Sequence, residues 1–153
     1  MTWQVEVELG GYDLAGGWLS QVAERVLVEE RVKPPAAVSI VLSDEVAMIA
    51  LNQRYLGRPE VTDVLAFPLG SDGSFVLPPR GIPYLGEVII CHPQAVRQAR
   101  EQGHSVKREI ALLLSHGLLH LLGFDDGDEV RTAEMRREES RLLSLFPDLG
   151  DRV

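Results

Sequence analysis

From Ile110 to Leu122 the chain is apolar at nearly every position, and two histidines, His116 and His120, stand inside that run. A helix that is apolar all round is ordinarily buried. This segment therefore sets a centre around which the other elements must pack. A spacing of four places both imidazoles on one helix face, with Cβ atoms about 5–6 Å apart. That separation suits two ring nitrogens binding one tetrahedral metal ion. Unpartnered in an apolar interior, each histidine would cost roughly 1–3 kcal/mol. A metal ion would satisfy both at once; two ordinary core hydrogen bonds would do so as well.

The flanking sequence supplies the other layers. Trp3, Val5, Val7 and Leu9 alternate with polar residues and predict a half-buried strand ended by Gly10-Gly11. A helix follows from about Ala15 to Glu30, with Trp18, Leu19, Val22, Val26 and Leu27 as its buried stripe. Val38–Leu42 reads as a second strand. Ser43 is expected to cap a helix through Tyr55 that buries Val46, Ile49, Ala50 and Leu51. Val64–Phe67 is a short strand stopped by Pro68. Turn residues from Gly70 to Ser74, then Pro78-Pro79 and Pro83, predict an irregular excursion. Leu85–Cys91 is a fourth strand, and Pro93 opens a helix to about Gln102. Ser105 is a plausible cap for the apolar helix, Gly123 its terminator, and a last amphipathic helix spans about Asp128 to Leu145. The expected architecture is α/β (α+β): one domain over residues 1–153, a small mixed four-stranded sheet, and about five helices around a buried central helix.

Length and composition agree with a single globular core: 153 residues, 45% hydrophobic and 25% charged. Ser115, His116, Gly117 and His120 interrupt the longest apolar stretch, so no membrane span is expected. No basic region precedes an apolar block at the N-terminus. The single cysteine, Cys91, excludes an internal disulfide and suits a reducing cytosol; it reads as a small buried residue at a strand end. A net charge of −8, from 15 basic and 23 acidic residues, argues against broad nonspecific nucleic-acid binding but leaves room for a local basic cleft.

A catalytic zinc site commonly takes three protein ligands and leaves the fourth position to water. His116 and His120 are two, and Gly123 lets the chain turn back so that Asp125, Asp126 or Asp128 could be the third. The plainer alternative for these carboxylates is helix capping. Helical metalloproteases carry His-Glu-x-x-His, with the glutamate as general base. Gly117 stands at that position here, so a peptidase of that mechanism is not expected.

The run His116-Gly117-Leu118-Leu119-His120-Leu121-Leu122-Gly123-Phe124-Asp125-Asp126 resembles the motif His-Gly-x-Leu-His-Leu-x-Gly-Tyr-Asp-His of the YbeY-type endoribonucleases, bacterial zinc enzymes that process ribosomal RNA. Leu51-Asn52 through Tyr55, then Thr62-Asp63-Val64-Leu65-Ala66-Phe67-Pro68, is similar to that family's upstream block. Leu85-Gly86-Glu87-Val88 resembles its Leu-Gly-Asp-Ile strand, and Gly103-His104-Ser105 its helix lead-in. The resemblance covers about Leu51 to Asp126. It implies a mixed, mostly parallel four-stranded sheet and one zinc ion per chain. It also implies a single-strand-specific ribonuclease acting in 16S rRNA 3′-end maturation and ribosome quality control, in the cytoplasm, with the ribosome or a ribosomal protein as partner.

Two positions depart from the family pattern. Its third ligand histidine falls on Asp126, which is expected to replace it, because carboxylate oxygen is an acceptable zinc ligand. Another divalent metal then becomes possible. The family arginine after the tyrosine falls on Leu56; Arg54 and Arg58 flank it and are the candidate RNA contacts, against a plain reading as surface arginines. The sequence names neither nucleophile nor general base. His104 is a candidate base, although a histidine in such a turn more often caps, and His92 is weaker. The rival readings are a noncatalytic ribosome-associated factor with a structural metal and a zinc hydrolase of another substrate.

Overall fold

The computed structural model describes residues 3–12, 17–58, 60–68, 82–125 and 127–146. Among these, the elements follow as β1 (Trp3–Glu8), α1 (Trp18–Glu29), β2 (Ala36–Ser43), α2 (Glu45–Leu56), β3 (Val64–Pro68), β4 (Tyr84–Cys91), α3 (His92–Gln102), α4 (Val106–Leu121) and α5 (Glu129–Leu143). The strands form one sheet in the order β1-β2-β4-β3. β1 runs parallel to β2 and β2 to β4, while β3 returns antiparallel on β4. The mixed four-stranded sheet with five helices is therefore what the chain builds. Pro68 sits at the end of an edge strand, where a residue without an N–H is tolerated.

Successive strand residues point to opposite faces, and the two faces carry different loads. Val38, Ile40, Leu42, Val88 and Ile90 pack with Leu27 of α1 and with Ile110, Leu114 and Leu118 of α4 in the main core. Ile89, Cys91 and Leu65 face the other way and meet Met48 of α2. α1 and α4 thus cover one face and α2 the other. α3 and α5 pack on α4, which also touches α1, β3 and β4. The apolar run is indeed the centre of the molecule, and Cys91 is fully buried at the end of β4.

Several local expectations are corrected. Asp44, not Ser43, caps α2: its Oδ1 accepts from the Ala47 amide at 2.8 Å. The β2–β4 ladder runs on to Ser43, paired with Cys91, so capping passes to the next polar side chain. The buried positions of α2 are Met48 and Asn52, and Val46 is 78% exposed. The sheet face below offers only Leu65, Ile89 and Cys91 as a buried floor, too small to cover a wide stripe. α1 begins at Trp18; Ala15, like the excursion from Gly70 to Pro79, lies outside the described residues.

Candidate active site

The sequence of α4 sets both of its ends. Ser105 Oγ accepts from the Arg108 amide at 3.0 Å and caps the first turn. Gly123, just past the C-cap Leu122, has φ 103°, a left-handed value that suits glycine. The Phe124 amide then bonds back to the Leu119 carbonyl at 3.0 Å, turning the chain toward α5.

Between these ends the helix lies close on the sheet at Gly117. A Cβ there would stand 2.6 Å from Val88 Cγ1. The glycine after His116 is thus a packing requirement, and the same contact gives a physical reason why no glutamate occupies that position. Burial on the sheet and the neighbouring helices leaves one half-buried stripe through Leu112, His116 and His120, recurring every four residues. The His116 side chain is 33% exposed. Its ring centroid lies 4.8 Å from that of His120, with the planes inclined at 70°. The expectation of two histidines sunk in an apolar interior is corrected: the helix is buried on its other sides, and the histidine stripe is half-buried.

α5 passes beside this stripe. Glu139 Oε1 is hydrogen-bonded to His116 Nδ1, and the two residues line a small cavity of about 120 Å³ with Thr132, Met135 and Arg136. The sequence reading missed Glu139. Its place between Met135 and Leu142, buried residues of α5, does not set it apart, because Glu138 is spaced from them just as closely.

The loop carboxylates divide. Asp125 Oδ1 accepts from the Gly127 amide at 3.0 Å, and its Oδ2 lies 3.4 Å from Arg131 Nη1. Asp128 caps α5, accepting from the Arg131 amide at 2.8 Å. Asp126 lies outside the described residues. Among the described residues, no three histidine, cysteine or acidic side chains gather closely enough to hold an ion. Two edge-facing imidazoles, one backed by a carboxylate, nevertheless match the donors that a divalent ion such as zinc selects.

Other singled-out residues have different surroundings. His104 Nε2 lies 2.6 Å from Oε1 of the buried Glu109, whose Oε2 accepts from Gln98 at 2.8 Å. This network sits at the start of α4, while His120 is in its last turn; 16 helical residues rise about 24 Å. His92 stacks on Tyr12 with centroids 4.1 Å apart, and burial lowers its pKa. Arg54 and Arg58 are exposed at the end of α2, with the sheet between that helix and α4. The Arg54 guanidinium lies 5.3 Å from the centroid of the Tyr55 ring. The structure therefore brings His116 and His120 together.

Comparison with known proteins adds an independent line. The family Endoribonuclease YbeY matches residues 10–147. An "Endoribonuclease YbeY" of Roseiflexus sp. (strain RS-1) is 42% identical over 127 residues, 82% of this chain and 79% of that protein. One from Moorella thermoacetica is 41% identical over 129 residues, covering 82% and 83%, and one from Mycobacterium leprae is 38% identical over 136 residues, covering 87% and 76%. The solution structure of TM1509 from Thermotoga maritima superposes with a TM-score of 0.60 at 25% identity, over 92% of this chain and 87% of that one. A family match across most of the chain, with relatives this similar, means that the chain belongs to the endoribonuclease YbeY family.

Proposed function

We propose that this chain cleaves the phosphodiester backbone of single-stranded RNA at one divalent ion, zinc by donor chemistry, held by His116, His120 and Asp126. The observation that carries the reading is the histidine pair. Its imidazoles stand 4.8 Å apart on the half-buried stripe of α4, in a member of an endoribonuclease family. Asp125 and Asp128 are engaged with Gly127 and Arg131, which favours Asp126 as the third ligand. An oxygen ligand in place of imidazole widens the choice toward harder ions.

When bound, the ion would polarise a phosphoryl oxygen or bring the pKa of a water toward about 7. The chain's own residues set the frame for that chemistry. α4 fixes the spacing of the two imidazoles, and Gly117 seats the helix against Val88. Arg54 and Arg58, both exposed, would contact the RNA backbone. The net charge of −8 favours delivery through a protein contact over a grip on bare RNA. Maturation of ribosomal RNA in the cytoplasm, with the ribosome or a ribosomal protein as that contact, is the proposed setting.

The test is cleavage of single-stranded RNA from the 16S rRNA 3′ end by wild type and His120→Ala, with metal content read on the same samples. Cleavage and metal lost together in the variant support the reading. Metal bound by wild type without cleavage above the variant background would replace it with a noncatalytic role.

A further inference from the structure

Glu139 is the acid that this site holds beyond any ligand set read from the motif. It lies four residues after Met135 and three before Leu142, both fully buried, so α5 anchors it on both sides against the core. Its side chain is only 14% exposed, and it meets His116 at Nδ1. In a bond to a carboxylate oxygen that carries no proton, Nδ1 is the donor. A neutral imidazole with Nδ1 protonated carries its lone pair on Nε2.

We infer that Glu139 holds His116 in the Nδ1–H tautomer and fixes the ring so that Nε2 is the nitrogen presented to the metal. Glu139 is thereby a positioning residue contributed by α5. The inference rests on the proposed metal site, because a ligand histidine must present an unprotonated nitrogen to the ion. It also ties two parts of the chain together. α5 is capped by Asp128 and carries the carboxylate that meets the His116 ring. A merely structural ion pair between α4 and α5 would contribute stability and leave the ring chemistry unchanged.

The experiment compares wild type, Glu139→Ala, Glu139→Gln and His116→Ala in three measurements: zinc affinity by competition with a chromogenic chelator, 15N shifts of His116 in metal-free protein at pH 8, and urea unfolding. Loss of such an outer carboxylate lowers metal affinity by about 10–100-fold, and that range is expected for Glu139→Ala. Glu139→Gln should lose less, because its amide oxygen still accepts from Nδ1–H. The wild-type shifts should report protonated Nδ1, with the alanine variant moved toward the other tautomer. Zinc affinity of Glu139→Ala within twofold of wild type, while His116→Ala is weakened, would overturn the inference even if stability fell. Equal zinc binding by wild type and His116→Ala would instead sink the metal reading, and the metal-free shifts would still decide what Glu139 does to the ring. Should Glu139→Ala not fold, Glu139→Gln and the wild-type shifts carry the test: a wild-type His116 protonated on Nε2 rejects the inference outright.

Discussion

At Gly117 a single missing Cβ sets how close α4 comes to the sheet. Adding a methyl group there forces Val88 aside in a packed interior, a change that typically costs about 1–3 kcal/mol. Gly117→Ala should therefore lower the urea-unfolding free energy by that amount, and Val88→Ala in the same chain should restore part of it. No recovery in the double variant would mean that the strain lies elsewhere. The residue was visible in the sequence only as a departure from the metalloprotease pattern. Its cause lies across the core, in a valine 29 positions away. Glu139 carries the same lesson. Its partner stands 23 residues earlier in the chain, and no local pattern marks one acid of α5 as different in role from Glu134 or Glu138.

Helices α1 and α5 meet through Arg141, which reaches Glu29 at 2.9 Å, Glu30 at 3.1 Å and Glu138 at 2.5 Å. Three carboxylates around one guanidinium leave excess negative charge. Burial, then hydrogen bonding and repulsion from Glu138, push the Glu30 carboxyl from an ordinary 4.5 up to about 7, while Arg141 holds Glu138 down. The folded protein thus binds a proton at Glu30 more tightly than the unfolded chain does. The stability this contributes is complete below pH 4.5 and is lost as pH rises to about 7. Chemical unfolding across that window should show stability falling with pH, with a flatter slope in Glu30→Gln; an unchanged slope would reject the assignment. At this scale the sequence read well. Strands and helices were legible from period and caps, because both follow from neighbours along the chain. The stripe of α2 was not, because a sheet face of limited area decided it.

As a whole, the molecule buries its core away from the histidine stripe. Leu27, Ile40, Ile90, Leu114 and Leu118 are fully buried or nearly so without help from the histidine stripe. Chelator treatment of metal-loaded protein should therefore lower the melting temperature while the far-UV circular dichroism at 25 °C stays unchanged, since an ion bound only to the folded state stabilises by mass action. Unfolding on chelation would point to a structural ion. Among the described residues no helix is long and apolar enough to cross a membrane.

The sequence by itself determined the elements, the central place of α4, and the pairing of His116 with His120, because a spacing of four on a helix is geometry that needs no other part of the chain. Its motif also pointed to the family that the comparisons establish. Tertiary structure alone decided which side of α4 is left half-buried, why glycine follows His116, and which acid stands behind the ring. It also set the sheet between the arginines' helix and the histidines. Those features depend on surfaces brought together from distant positions, and burial is a property of the packed whole rather than of any one segment.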